Sequence, residues 1–192
     1  MKSLCILGAA LIALNAQADT CHTQLLQQPI QLMAQRAQIM KQVAAYKWYN
    51  APNHQATAYS AGQEVKVLQG TQALAKQLRL PTWALLVFVQ IQMDLSKQIE
   101  AHWIQYWNLP STPSDQKPTA KTLVDLSQLR QQITKIDSQL YPTISHAFSA
   151  IDDCSVHQMY PVYQLYFGKI AGIPTQPNYG KVYLQALKGL DD

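Results

Sequence analysis

Two cationic side chains lie on one predicted helix, on a face where the pattern otherwise indicates burial. Arg36 and Lys47 are eleven residues apart in QRAQIMKQVAAYKWYN, and Met33 and Met40 share their face. At about 100° per residue the two cations fall within about 20° of each other, about 16 Å apart along the axis. Because an unpaired buried charge is costly, this face either meets anionic partners or lies at a helix edge where both side chains reach water.

Three further polar side chains occupy other predicted helices. Ser96 and Glu100 are four residues apart and therefore share one helix face. Arg130 lies between Leu129 and Ile133 on a later helix. Each of these side chains, taken alone, is typical of a solvated helix face. The alternative is that a few of these cations face a small anion.

Hydrophobic spacing predicts the helices that must position these side chains. Apolar residues recur every three or four positions over most of the chain, and alternating strand-type runs do not occur in the sequence. The fold class is therefore all-α, a helical bundle with two long N-terminal helices and a C-terminal helical half. Gly70 weakens one helical pattern, and residues 50–62 are predicted as a break with one irregular turn. The predicted long helices span 25–49, 63–80, 82–107 and 122–140. Shorter helices are predicted around 143–152, 157–170 and 178–189. The segments IDDC and AGIPTQPN are expected to separate these shorter helices.

The N-terminus predicts a secretory signal peptide. Residues 1–18 contain one lysine, an apolar run and an A-x-A ending at Ala18. About twelve apolar residues are too few to cross a bilayer core, which needs about 20. We therefore expect cleavage near Ala18 and a periplasmic or secreted product. The remaining residues 19–192 are enough for a single all-helical domain, with an N-terminal half at about 24–108 and a C-terminal half at about 120–190.

Charge and cysteine usage narrow the function classes. The chain has a formal net charge of +4 and no block of lysine or arginine, which argues against a nucleic-acid partner. Cys5 would leave with the signal peptide, so Cys21 and Cys154 remain as an even pair in an oxidising compartment. A bridge between these two cysteines is the expected state, and free or intermolecular thiols are the alternative.

Signatures of metal, cofactor and covalent chemistry do not occur in the sequence. The G-x-x-x-x-G-K, G-x-G-x-x-G, H-E-x-x-H and G-x-S-x-G motifs are all missing. The five histidines are scattered without metal-ligand spacing. We therefore expect neither a metal nor a cofactor.

Taken together, these residues resemble a known family, the secreted all-helical chorismate mutases of the AroQ type, gamma subclass. The likeness begins at QRAQIMKQVAAYKWYN, which matches the family's Gln/Glu-Arg, ten residues and then Lys. It covers about residues 25–135. The further matching stretches are QEVKVL, LRLP, FVQIQMDLSKQIEAHWIQYW and DLSQLRQQI.

The resemblance implies a reaction without metal, nucleophile or cofactor. Chorismate, a small dicarboxylate with an enol-ether bridge, would be rearranged to prephenate by an intramolecular pericyclic shift. Binding geometry and preorganised donors would supply the rate. One chain would build the whole site, where shorter relatives interlock two chains. The family commonly forms homodimers, and no membrane partner is implied.

The resemblance also assigns roles to individual residues. Arg36 and Arg130 would grip the substrate carboxylates through their guanidinium forks. Lys47 would reach a carboxylate and the ether oxygen. Ser96 would donate to a carboxylate. Glu100 would face the ether oxygen from the opposite side, as a donor in its protonated form.

One segment departs from the family pattern L-P-I-x-D-x-x-R. The corresponding stretch here, NAPNHQATAYSAGQEVKVL, is about four residues longer. A gapped alignment places Ser60 at the family's aspartate and Gln63 at its arginine. An ungapped alignment places Ala56 and Tyr59 at these two positions. Neither keeps the charged pair. A neutral amide at Gln63 loses a charge-assisted donor worth about 1.5–3 kcal/mol. We therefore expect a weakened chorismate mutase, and the alternative is a catalytically impaired, chorismate mutase-like secreted binding protein.

Overall fold

A computed structural model describes residues 21–174 and 179–190. Within these ranges the chain forms α-helices and two short 3-10 turns, at Pro52–His54 and Ser114–Gln116, and no strand. The predicted all-α fold is confirmed. The expected signal peptide, residues 1–18, lies outside the described residues. The helices are α1 (Thr23–Asn50), α2 (Ala61–Leu78), α3 (Thr82–Asn108), α4 (Leu126–His146), α5 (Phe148–Asp153), α6 (Val156–Phe167) and α7 (Tyr179–Lys188).

The helix α1 is the central element of the bundle. It packs against α3, α4 and α6, while α2 lies on α3 and α7 packs against α3 and α6. Its apolar stripe is buried, with Ile30 fully enclosed and Met33 and Met40 nearly so. Each such side chain contributes about 1.5–3 kcal/mol relative to exposure. The face that carries Arg36 and Lys47 therefore looks into the bundle and not towards solvent.

The helix α4 begins and ends later than its hydrophobic pattern predicts. It begins at Leu126 because the Asp125 carboxylate accepts a hydrogen bond from the Ser127 backbone N–H at 2.7 Å. It continues beyond residue 140 through Pro142, since the flanking Tyr141 and Ile144 are buried.

The IDDC segment was expected to separate two short helices, but most of it belongs to α5. Ile151 is completely buried, so the last turn of α5 is held against the core. Tertiary packing therefore overrides the weak helical pattern of this segment.

The connection between α1 and α2 is tied to the ends of the long helices. Asn53 and His54 adopt left-handed backbone conformations, with φ of 51° and 57°. The His54 ring stacks on Trp48 with the centroids 3.9 Å apart. The Trp48 indole N–H donates to the Asn108 side-chain oxygen at 2.8 Å, which links the end of α1 to the end of α3. This anchoring fixes the start of a segment whose later residues reach the candidate site.

A disulfide joins Cys21, just before α1, to Cys154, just after α5. The bridge spans 133 residues of sequence. Beside it, the Lys188 ammonium group donates to the backbone oxygens of Ile151, Asp152 and Cys154 at 2.8–3.1 Å. The disulfide and the Lys188 hydrogen bonds thus attach the start of α1 and the end of α7 to the same segment around Cys154.

No helix within the described part of the chain combines the length and the apolar character needed to cross a membrane.

Candidate functional site

One cavity of about 410 Å³ lies between α1, α2, α3 and α4. Its walls carry both ionic and apolar side chains, including Met40, Val67 and Met93. The structure brings together every site residue expected from the sequence, although these residues come from four different helices and one connection. The predicted residues that line the cavity are Arg36, Lys47, Ser60, Gln63, Ser96, Glu100 and Arg130.

The guanidinium of Arg36 is buried and held from two sides. Its Nε–H donates to Asp137 Oδ1 at 3.2 Å, and its Nη1 donates to Ser96 Oγ at 3.1 Å. The Ser96 hydroxyl in turn donates to the backbone oxygen of Gln92 at 2.8 Å. Arg36 therefore has the anionic partner that a buried cation requires. Since the Ser96 proton is already directed at a carbonyl, donation to a ligand carboxylate would require its hydroxyl to rotate.

Lys47 forms the second ion pair of the cavity. Its Nζ lies 2.6 Å from Glu100 Oε2 and donates to the Ala58 backbone oxygen at 2.9 Å. The Glu100 side chain is 7% exposed and that of Lys47 is 22% exposed. An ammonium group has three N–H donors, so one remains for a ligand after these two contacts.

Burial raises the pKa of both acidic partners. It raises the pKa of Glu100 above its ordinary value of 4.5, and the nearby Lys47 and Arg36 offset part of that effect. It likewise raises the pKa of Asp137 above 3.8, with Arg36 opposing the change. Desolvation disfavours the charged form of a carboxyl group, whereas a neighbouring cation favours it. Here desolvation prevails at both residues.

A second polar group lines the cavity near α2. Lys97 Nζ lies 2.8 Å from Asp94 Oδ1 and 3.5 Å from Glu64 Oε2. The other Glu64 oxygen, Oε1, is buried and has no hydrogen-bond partner among the described residues. Lys97 belongs to α3 and follows Ser96 directly, and it lines the same cavity.

The altered segment before α2 contributes Ala58, Ser60 and Gln63 to the cavity wall. Ser60 is the N-cap residue of α2, but its side chain makes no capping hydrogen bond. Tyr59, which the ungapped alignment proposes, is 60% exposed and lies outside the cavity lining. The positions of Ser60 and Gln63 therefore favour the gapped alignment.

Arg130 lines the cavity from α4 and is exposed. It forms no ion pair with a described residue, in contrast to the enclosed Arg36 and Lys47. A guanidinium in this setting is available to an entering anion.

Asp137 is a charged residue of the cavity that the sequence analysis missed. It follows Arg130 by seven positions, which is close to two helical turns, so both lie on one face of α4. This spacing on an otherwise apolar stripe was the signal that could have identified it.

The chemistry that this arrangement offers is ionic. Among the described residues, no group of three or more His, Cys, Asp or Glu side chains is placed to hold a metal ion. The cavity offers cationic N–H donors from several directions to a ligand that carries carboxylates. Fixed donors of this kind can also stabilise negative charge that develops during a reaction.

Comparison with known proteins gives one finding. The family model for chorismate mutase type II matches residues 15–101, less than half of the chain. The matched segment includes Arg36, Lys47, Ser96 and Glu100 but ends before α4, which carries Arg130 and Asp137. Neither a curated protein nor a solved structure matches the chain.

Proposed function

We propose that this protein is a chorismate mutase, which rearranges chorismate to prephenate within one chain and without a cofactor. The observation that carries the proposal is the convergence of Arg36, Lys47, Ser96, Glu100 and Arg130 on one cavity. The family match of residues 15–101 supports it independently.

The proposed mechanism relies on preorganised charge. Arg36 and Arg130 would bind the two substrate carboxylates and hold the compact conformer in which the reacting carbons meet. Lys47, fixed between Glu100 and the Ala58 carbonyl, would donate its remaining N–H to the ether oxygen as negative charge grows there. Because these donors are already in place, little reorganisation is needed when the bond breaks.

Glu100 would complete the site as a hydrogen-bond donor to the same ether oxygen. An ionised carboxylate accepts hydrogen bonds only, so this role requires the protonated form. Burial raises the pKa of Glu100, which extends the protonated form to higher pH than for an exposed glutamate.

The first prediction concerns this protonation. We expect kcat/KM to fall as pH rises through the raised pKa of Glu100, by about tenfold per pH unit above it. The Glu100→Gln variant keeps a neutral donor and should lose this alkaline limb. Initial rates between pH 5 and 8 would measure both profiles. A flat profile for the unmodified protein would remove the donor role of Glu100.

The second prediction concerns Gln63, which stands where the resembling family has an arginine. We propose that this neutral side chain weakens the enzyme. The Gln63→Arg variant should raise kcat/KM about tenfold or more, since a charge-assisted hydrogen bond contributes about 1.5–3 kcal/mol. Gln69→Arg adds the same charge to an exposed position of α2 and is the matched control. Equal rates for both variants would show that Gln63 does not limit catalysis.

A direct assay tests the proposed function itself. Loss of chorismate absorbance would be followed with the purified protein, and prephenate would be confirmed by its acid conversion to phenylpyruvate. Turnover that Arg36→Ala abolishes would support the mutase. No turnover, together with a melting temperature that chorismate still raises, would indicate a binding protein instead.

We further propose that the protein is exported and belongs to the gamma subclass. The signal-like pattern before Ala18 supports export, and the Cys21–Cys154 bridge is of a kind that persists in oxidising compartments. N-terminal sequencing of the protein recovered from outside the cytoplasm tests this: the chain should begin near Asp19. A product that retains Met1 would contradict it.

A further inference from the structure

Asp137 is a charged residue of the cavity wall without a role in the mechanism described so far. Its side chain is 27% exposed, and its Oδ1 accepts the hydrogen bond from Arg36 Nε–H. It belongs to α4, outside the segment that matches the chorismate mutase family model. An acidic side chain facing a cavity for a dianion repels that ligand, so its presence requires an explanation.

The contacts around Asp137 connect three helices through the Arg36 guanidinium. The Asp137 carboxylate of α4 accepts a hydrogen bond from Nε–H, and the Ser96 hydroxyl oxygen of α3 accepts one from Nη1. Tyr141, one turn after Asp137, donates to the Gln92 side-chain oxygen at 3.3 Å, and the Gln92 backbone oxygen accepts from Ser96. The guanidinium is therefore fixed in position and in plane by α3 and α4 together.

This arrangement leaves the Nη2 group of the Arg36 guanidinium available to a ligand. Nη2 of Arg36 forms no hydrogen bond with a described residue, and Arg36 lines the cavity. A guanidinium binds a carboxylate well when its plane is fixed beforehand, because little side-chain entropy is then lost. Asp137 therefore orients the guanidinium before a substrate binds, so the substrate does not have to do so.

We propose that Asp137 is a positioning residue, whose ionised carboxylate sets the orientation in which Arg36 presents its remaining N–H groups to a substrate carboxylate. This inference rests on the proposed mutase function. Asp137 acts through Arg36 and does not touch the substrate. Its charge is part of the role, since a hydrogen bond between two ions is roughly twice as strong as one between neutral groups.

The ionisation of Asp137 gives the role a signature in the pH profile. Burial raises the pKa of Asp137 above 3.8, against the effect of Arg36. As pH falls through that pKa, Asp137 becomes neutral and the guanidinium is held less firmly. Activity should therefore show an acid limb from Asp137 in addition to the alkaline limb of Glu100. The titratable and charged groups that face this region are Arg36 and Lys47 of α1, Glu64 of α2, Lys97 and Glu100 of α3, Arg130 and Tyr141 of α4, and Tyr183 of α7.

The third prediction is the effect of neutralising this carboxylate. Asp137→Asn has nearly the same shape but no charge, and it should lower kcat about tenfold at pH 7, as expected when a charge-assisted contact becomes a neutral one. KM should change less than about threefold, because removing the carboxylate also removes its repulsion of the dianion. Below the Asp137 pKa, the rate of the unmodified protein should fall to that of the Asp137→Asn variant. The pH profile of the variant itself should lack the acid limb.

The experiment compares three variants over pH 4 to 9. Asp115→Asn removes an acid from the exposed connection between α3 and α4 and should leave the profile unchanged. Asp137→Ala should lose more activity than Asp137→Asn. If the alanine variant does not fold, the asparagine variant still decides the question. Melting temperatures recorded beside the rates separate loss of folded protein from loss of orientation.

The outcomes distinguish this inference from the proposed function. An unmodified protein without chorismate turnover would refute the mutase and, with it, the positioning role. The positioning role alone would be overturned if the unmodified protein were active, the Asp137→Asn variant were equally active, and both showed the same acid limb. A variant with a lower KM and an unchanged kcat would likewise overturn it, because Asp137 would then be a repelling carboxylate and nothing more.

Discussion

Replacing Lys47 with alanine is expected to lower kcat/KM for chorismate at least about 1000-fold. Removing one preorganised donor to a developing oxyanion typically costs about 10²–10³ in rate. Lys47 also binds the Ala58 carbonyl and therefore holds the connection that forms one wall of the cavity. Both losses act on the transition state, so they should appear mainly in kcat. Steady-state kinetics of the purified variant measure the effect.

The substitution also leaves Glu100 buried without its partner. Above the Glu100 pKa, where this carboxyl group is ionised, breaking such a buried ion pair destabilises a protein by about 3–5 kcal/mol. The double variant Lys47→Ala/Glu100→Gln removes this unpaired charge and should recover much of the stability without recovering turnover. Lys41→Ala is the matched control, because Lys41 is an exposed cation of α1 that lies over the Trp103 ring and outside the cavity. Turnover near the unmodified level in the double variant would rule out a catalytic role for Lys47.

Removing the disulfide is expected to have the largest effect on stability. With a sequence separation of 133 between Cys21 and Cys154, the loop-entropy model assigns the bridge about 4–5 kcal/mol. That is a large share of the 5–15 kcal/mol that stabilises a typical domain. The variant with both cysteines changed to serine should unfold at markedly lower denaturant concentration. Chemical denaturation followed by circular dichroism would measure the difference.

Reduction provides a check on this result that needs no substitution. A reducing agent should lower the stability of the unmodified protein to that of the double serine variant and leave the variant unchanged. If the reduced protein were as stable as the oxidised one, the unfolded chain would already be compact enough for the bridge to contribute little. The entropic account of its stabilisation would then be wrong for this protein.

The sequence was sufficient to predict the long helices, apart from the ends of α4, and the cationic side of the site. Helical periodicity is a local property, so the face shared by Arg36 and Lys47 follows from their spacing alone. The same holds for Ser96 and Glu100. That these two faces meet depends on how α1 packs against α3, and the family resemblance supplied this information where periodicity did not.

The partners of the cations were harder to predict. Asp137 reaches Arg36 across 101 residues of sequence, and no local pattern specifies such a pairing. Ala58 binds Lys47 through its backbone carbonyl, which every residue possesses, so residue type gives no signal. The left-handed conformations of Asn53 and His54 occur where the Asn108 side chain of α3 donates to the His54 backbone oxygen at 3.5 Å, a contact that again depends on the folded chain.

The position of the Cys21–Cys154 bridge has a topological consequence for the site. Every residue discussed as part of the cavity, from Arg36 to Asp137, falls between the two cysteines, so the candidate active site is carried on a covalently closed ring. A proteolytic nick in the exposed connection between α3 and α4 would open this ring without dividing the protein. The helices that contribute the two arginines would remain tethered as one molecule until the bridge itself was reduced.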